Sequence, residues 1–266
     1  MDRWKGSLAV VTGASAGIGK ATTIELLKSG VNVVALARRG NILKSIPDEL
    51  PKENNGTFGI LYPIECDITD ENAVKTVFSW IDGNLGGISI MINNAGLLRR
   101  STLLGGTTED WKSILDLNVV ALSVCTREAY QSMAKYNIAG HIIQINSISG
   151  HALTPGFGNK MYNASKFAVT ALCDGLRHEL QMVGSKIKVT SLSPGLVKTE
   201  IHAAANWPLG ESVSNVPPPL SPKNIADTII LALSTPPEVL IAELTVFGVG
   251  STIQMHTSPR PPFTIS

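Results

Sequence analysis

Tyr162 and Lys166 stand four residues apart in a stretch with helical patterning, so one helix face would carry a phenol beside an ammonium. A free phenol titrates near ~10, too high for an efficient base at neutral pH. A neighbouring ammonium favours phenolate and lowers that value. Ser147 ends an apolar run, His141 to Asn146, where its hydroxyl could hydrogen-bond a reacting oxygen. These three groups suit the transfer of a proton to or from an oxygen. A Tyr-x-x-x-Lys pair alone carries little weight; its place in an ordered set carries more.

That set begins with a glycine-rich turn, Thr12-Gly13-Ala14-Ser15-Ala16-Gly17-Ile18-Gly19, which follows the apolar run Leu8-Ala9-Val10-Val11 and opens a helical pattern. A helix N-terminus offers unpaired N–H groups and partial positive charge, which suits a pyrophosphate. Glycine removes the Cβ where backbone must turn sharply or approach a ligand. An ordinary strand-to-helix turn is the competing reading. The end of the second strand reads Ala35-Leu36-Ala37-Arg38-Arg39. An acid there would bind the ribose hydroxyls of NAD; two guanidiniums suit the 2′-phosphate of NADP instead. Asp67-Ile68, after the third strand, could hold and cover an adenine, and Asp67 could equally be a helix cap or turn residue. A dinucleotide site and a proton-transfer site in one chain predict hydride exchange between a nicotinamide cofactor, NADP(H), and an alcohol or carbonyl. Oxidised nicotinamide would further favour the phenolate of Tyr162.

The elements that must position these groups follow from periodicity. Apolar strands are expected at 8–11, 31–37, 58–64, 88–92, 141–146, 188–192 and 244–247. Helices are expected at 17–27, 71–82, 109–136, 161–183 and 222–234, with Gly30 as a C-cap. The alternation predicts an α/β, Rossmann-type, doubly wound fold: a seven-stranded, mainly parallel sheet with helices on both faces and ligands at the strands' carboxyl ends. One domain, 1–266, is expected, with a substrate loop at about 196–221 and an extended tail at about 251–266. Hydrophobic residues make up 44%, ample for a core, and the net charge of +1 gives no reason to expect nucleic acid. The three cysteines, Cys66, Cys125 and Cys173, lack metal-ligand spacing and read as buried thiols. No metal is expected. The polar start, with no apolar leader or bilayer-length run, predicts a soluble cytoplasmic protein.

The ordered motifs, with Asn93-Asn94-Ala95-Gly96 and Asn118 between the glycine turn and Ser147, resemble the short-chain dehydrogenase/reductase family in its compact single-domain form. The likeness runs from about residue 8 to 200 and more weakly to 247. It implies Asn118, Ser147, Tyr162 and Lys166 as the catalytic set, with Asn118 holding a water in a proton relay behind Lys166. A helix-interior Asn bonded to backbone is the alternative. It further implies that Gly13, Ala14, Ser15, Ala16, Gly17, Ile18 and Gly19 line the cofactor, that Ser15 and Arg38 contact the 2′-phosphate with Arg39 as helper, and that Asn94, Ala95 and Gly96 line it from the central sheet. Tyr162 and Lys166 would touch the nicotinamide ribose, and Pro194, Gly195, Val197 and Thr199 its carboxamide. A homodimer or homotetramer is implied, with segments 109–136 and 161–183 as candidate interfaces.

One departure bears on substrate. The segment between Ser147 and Tyr162 is longer than usual in this family by about two residues, a length that costs little to close. With the Met1-Asp2-Arg3-Trp4 start and the Ala-Arg-Arg strand end, it is similar to an insect farnesol dehydrogenase-like branch near steroid and carbonyl reductases. Leu98, Ser149, His151, Leu153, Phe157, Met161, Leu196, Ile201 and Trp207 are the expected pocket residues, several of which core packing would equally explain. Mostly apolar, they favour a small terpenoid, steroid or lipid-like alcohol or carbonyl. A catalytically silent NADP sensor or scaffold is the alternative; an intact Asn–Ser–Tyr–Lys set speaks against it.

Overall fold

The computed structural model describes residues 1–51, 58–153, 158–205 and 219–251. Seven strands form one sheet: β1 (Leu8–Thr12), β2 (Asn32–Ala37), β3 (Leu61–Glu65), β4 (Ile90–Asn93), β5 (His141–Ile145), β6 (Lys188–Pro194) and β7 (Glu243–Val246). Their order is β3-β2-β1-β4-β5-β6-β7. Every strand pairing is parallel, so the expected "mainly parallel" sheet is wholly so. The helices are α1 (Gly17–Lys28), α2 (Gly40–Lys44), α3 (Glu71–Leu85), α4 (Thr108–Leu115), α5 (Leu122–Lys135), α6 (Lys160–Met182), α7 (Glu200–Ala204) and α8 (Pro222–Leu233).

Strand alternation sorts the core into two layers. Ala9 and Val11 of β1, Val33 and Ala35 of β2, and Ile90 and Ile92 of β4 pack with Leu26 and Leu27 of α1 and Ile225 and Ile229 of α8. Val10, Val34, Leu36 and Met91 point the other way, onto Val74 and Phe78 of α3 and Cys125 and Met133 of α5. Both faces are therefore covered, as continuous apolar strands require. The strand order reverses between β1 and β4, which leaves a crevice above their carboxyl ends.

Local chemistry sets the element ends. Gly30, at φ +76, closes α1 in a Schellman motif: its N–H reaches Leu27 O and that of Val31 reaches Leu26 O. Asp70 caps α3 by accepting from the amides of Asn72 and Ala73. Ser221 and Asn224 form a capping box at α8. The third strand starts three residues later than expected. Until Ile60 the chain is still turning past α1, where the amide of Gly59 donates to Leu27 O and the amide of Val33 to Ile60 O. Pro63 is tolerated in β3 because that strand is an edge. The helix expected at 109–136 is a continuous run, but six of its residues, Asp116–Ala121, are wound as π-helix. The short helix α7 falls in the expected substrate loop; residues 206–218 of that loop and 252–266 of the tail lie outside the described residues.

At the other end of the strands, where β5 begins between β4 and β6, His141 is fully buried. Thr190 Oγ1 donates to Ile241 O, so it accepts from His141 Nε2 at 2.8 Å, which leaves Nδ1 without a proton and without a partner among the described residues. Burial, reinforced by Lys188 and Arg3, pushes the imidazole down to about 3. The unfolded chain binds this proton near ~6.5 and the folded chain does not, so stability must fall as pH drops from there toward 3. The slope contributed is up to ~1.4 kcal/mol per pH unit. Urea unfolding of wild type and His141→Gln between pH 7 and 4 measures it. The variant is expected to show a flatter decline, and equal slopes would refute the assignment.

Candidate active site

The crevice is closed underneath by one polar lock. Thr12, the last residue of β1, accepts at Oγ1 from the amides of Asn94 (3.0 Å) and Ala95 (3.1 Å). Asn94 Nδ2 answers by donating to Thr12 O at 2.9 Å and Gly13 O at 3.3 Å. Gly13, at φ +66, lies so close that a Cβ would sit 2.9 Å from Ala95 Cα. A Cβ on Gly19 would collide with Asn94 Nδ2 and Gly13 O. The glycines here make room for protein first, and so bring the N-terminus of α1 down onto the strand ends.

That N-terminus is open. Ala16 occupies the N-cap without a side-chain hydrogen bond, and no acid lies in the first turn. The amides of Gly17 and Ile18 thus stand at the positive end of a 12-residue helix whose own first turn carries no carboxylate, which fits a phosphate group. Ala14 is fully buried in the core and supports the turn from below. Ser15 Oγ accepts from Arg39 Nη2 at 3.0 Å and Nε at 3.2 Å. Arg39, the expected helper, is therefore the guanidinium on Ser15. Arg38 lies toward Asp67, whose carboxylate it favours. Asp67 Oδ1 accepts from the Thr69 amide and hydroxyl, the turn geometry weighed from sequence. Burial alone would raise this carboxyl, but Thr69 and Arg38 outweigh it and hold it below the ordinary value. Ile68 is buried beside it.

Gly96 continues β4's end toward Asn118. Across the crevice, Pro194 ends β6, Gly195 donates to Val246 O, and Val197 pairs with Leu220. Thr199 is the N-cap of α7 and packs on the glycine turn: a Cβ on Gly17 would lie 3.1 Å from its Cγ2.

The reactive groups converge where β5 meets α6. Ser147 follows β5 and accepts from the Ser149 amide, which starts a 3₁₀ turn at Ile148–Gly150. Its hydroxyl hydrogen-bonds that of Tyr162. Burial raises the Tyr162 phenol to about 12, and the Ser147 bond only partly opposes this. Lys166 is 5% exposed; its Nζ donates to Ile145 O at 2.8 Å and lies 5.8 Å over the Tyr162 ring. Desolvation pushes this ammonium down to about 8. The lowering of Tyr162 expected from Lys166 is therefore not the net result in the free protein, because burial acts on both groups.

Asn118 sits in the π-helical segment. Its Oδ1 accepts from the Leu97 amide at 2.7 Å, and its Nδ2 donates to Leu97 O and to Ser165 Oγ. Ser165 in turn donates to Tyr162 O. Asn118 thus ties the Gly96–Leu97 loop to the helix that carries Tyr162, the backbone-bonding alternative weighed for it. Sequence reasoning missed Ser165 and Gly150. A Cβ on Gly150 would lie 2.6 Å from Lys166 O, so glycine here lets α6 close on the turn after Ser147. It missed Glu200, which accepts from Arg39 Nη1 at 3.0 Å. Only the long sequence separation of these pairs hid them.

Leu98 and Ser149 are buried, Leu153 is exposed, and Met161, Leu196 and Ile201 are partly covered. Phe157 and Trp207 lie outside the described residues. His151 turns inward, with Nε2 at 2.8 Å from Ser193 Oγ and 3.0 Å from Glu243 Oε1. All three cysteines are free and buried, with thiols raised to about 11 or 12 by desolvation. Among the described residues no cluster of potential ligands could hold a metal ion.

Comparison with known proteins agrees with this geometry. The chain is 41% identical to a farnesol dehydrogenase of Aedes aegypti over 94% of this chain and 99% of that one. It is 43% identical to human dehydrogenase/reductase SDR family member 11, over 92% of this chain and 95% of that one. A serine dehydrogenase solved in complex with NADP+ superposes with a TM-score of 0.74 at 28% identity, covering 90% of this chain and 94% of that one. The family description "short chain dehydrogenase" matches residues 7–208, and the chain belongs to that family.

Proposed function

We propose that the protein is an NADP(H)-dependent oxidoreductase that interconverts an alcohol and a carbonyl on an apolar substrate: a terpenoid such as farnesol, a steroid or a lipid-like molecule. The carrying observation is the contact of Ser147 with Tyr162 above a desolvated Lys166, at the carboxyl ends of the strands. The Arg39–Ser15 pair, the absence of an acid in the first turn of α1, and the NADP+ bound in the serine dehydrogenase support the choice of cofactor. The farnesol dehydrogenase of Aedes aegypti supports the substrate class.

In this reading Ser15, Arg38 and Arg39 hold the 2′-phosphate. The amides of Gly17 and Ile18 face the pyrophosphate, and Asp67 and Ile68 lie by the adenine. Asn94, Ala95, Gly96, Pro194, Gly195, Val197 and Thr199 surround the nicotinamide end. When bound, the dinucleotide supplies or accepts hydride. Ser147 and Tyr162 both bond the substrate oxygen, and Tyr162 gives it a proton in reduction or takes one in oxidation. With the phenol raised to about 12, Tyr162 is protonated at neutral pH, so the free enzyme holds its acid form ready. Lys166 stabilises the phenolate as the proton leaves. Asn118 keeps α6 in register with the loop after β4, and we assign it, through a water, to the relay that refills the proton.

We further assign the protein to the cytoplasm; no helix of the described residues is long and apolar enough to cross a membrane. We assign it a homodimeric or homotetrameric state, through the exposed Val120, Phe167 and Leu172 on the π segment and α6.

Initial rates with NADP, NAD, NADPH and NADH against farnesol, citral and a ketosteroid panel test the activity. Preference for NADP(H) is expected, as is a loss of about 10²–10⁴-fold in Tyr162→Phe with dinucleotide binding retained. Preference for NAD would refute the role of the arginines, and an active Tyr162→Phe would refute the mechanism. The pH dependence carries a second expectation. Reductive kcat/KM, which reports the free enzyme, should fall as pH rises through about 8, where Lys166 loses its charge while Tyr162 stays protonated. Lys166→Arg, charged throughout, should keep measurable activity and lose that limb. A wild-type profile flat from pH 6.5 to 9.5 would show that the Lys166 charge does not serve the proton transfer.

A further inference from the structure

The guanidinium that suits the cofactor's phosphate already holds an anion. Arg39 stands at the end of β2, as the N-cap of α2, and uses all of its fork. Nε and Nη2 donate to Ser15 Oγ, and Nη1 donates to Glu200 Oε2. Glu200 comes from the far side of the crevice, as the first residue of α7, 161 positions along the chain. Its neighbour Thr199 packs on Gly17 at the mouth of the glycine turn. The segment after β6 therefore reaches the glycine turn twice, directly through the Thr199 methyl group and indirectly through the Glu200 carboxylate on Arg39, which bonds Ser15. Both partners of the ion pair are open to water, with side-chain exposures of 47% for Arg39 and 66% for Glu200. Such a pair adds little to stability and can be exchanged cheaply.

We propose that Glu200 is a specificity-determining residue: a built-in competitor for Arg39 that weakens binding of the 2′-phosphorylated dinucleotide and narrows its advantage over the unphosphorylated one. This rests on the proposed use of NADP(H). A phosphate monoester carrying about −1.5 to −2 charge must either take Arg39 Nη1 from Glu200 or sit near its carboxylate. Both routes cost binding free energy, and neither applies to a dinucleotide with a free 2′-hydroxyl. At separations of about 6 Å in a water-like dielectric, the repulsion amounts to several-fold in affinity. The same carboxylate neutralises Arg39 when no phosphate is present, so a dinucleotide lacking the phosphate does not leave a bare guanidinium behind.

The test is equilibrium binding, by quenching of intrinsic fluorescence or calorimetry, of NADPH and NADH to wild type, Glu200→Gln, Arg39→Met and the double variant. Glu200→Gln should tighten NADPH about fivefold, which is about 1 kcal/mol, and move NADH less than twofold. In the Arg39→Met background the same change should move NADPH less than twofold. An unchanged NADPH affinity in Glu200→Gln overturns the proposal. Equal tightening of both dinucleotides overturns it too, as would a fivefold effect that persists without Arg39. Wild type binding NADH as tightly as NADPH would instead refute the underlying choice of cofactor. Melting curves for the four proteins show whether each is folded; Glu200→Gln, nearly isosteric at an exposed site, is expected to melt with wild type.

Discussion

The hydroxyl of Thr12 is the constraint on which the cofactor end of this structure depends. A parallel sheet wound in two directions has a seam at β1 and β4, where backbone leaves both strands upward and nothing in the ladder holds the ends together. Thr12 Oγ1 takes two amides from the β4 end, and Asn94 returns a hydrogen bond to the β1 end. Each bond is worth only ~1 kcal/mol net, yet an unmet buried amide would cost more than that. The close approach this permits is why Gly13 and Gly19 have no room for a Cβ. It also fixes where the first turn of α1 points. The open helix start follows from protein packing; it needs no side chain of its own there.

The chemical end is governed by burial. Desolvation acts in opposite senses on an acid that becomes charged and a base that is already charged. It raises Tyr162 and lowers Lys166, so two titrations that nearly coincide in free side chains are driven apart, to about 12 and about 8. The two groups are kept close by α6, whose seat on the Ser147 turn requires Gly150 to be bare. Asn118 gives α6 a second attachment, through Ser165, and a π-helical segment aims it there. A regular α-helix through Asp116–Ala121 would rotate each later residue relative to the sheet, so the irregular winding and the site geometry are parts of one arrangement.

Much of this was legible before any coordinates. The seven strands, the helix carrying Tyr162 and Lys166, and the glycine turn announce themselves through local signals: β-branched runs, a four-residue spacing, a Schellman glycine at position 30. What stayed hidden depends on partners distant in sequence. Nothing local distinguishes Arg38 from Arg39; which one meets Ser15 depends on how the chain leaves β2. His151 gave no local sign of its inward turn, because its partners Ser193 and Glu243 lie on β6 and β7, far along the chain. The late start of β3 reflects Gly59 passing the end of α1, which is again a tertiary contact. Asn118 was visible as a residue and not as a device, because the loop at Leu97 that it binds is 21 positions earlier.

The two ends of the crevice therefore use electrostatics in different regimes. Around Lys166 the charge is dry, held by one carbonyl, and sensitive to a single proton. Around Arg39 the charges are wet, shared with Ser15 and Glu200, and sensitive to salt. A substitution at the dry end should change rate constants and pH profiles while leaving the fold's seam intact. One at the wet end should change how tightly a cofactor is held and leave the proton transfer alone. The segment joining β6 to α7 is where these regimes meet. Pro194 and Gly195 continue the sheet beside the reacting groups, and five residues later Glu200 reaches the guanidinium. A chain this short and this constrained links the carboxyl end of β6 to the Arg39 guanidinium within six residues of Pro194.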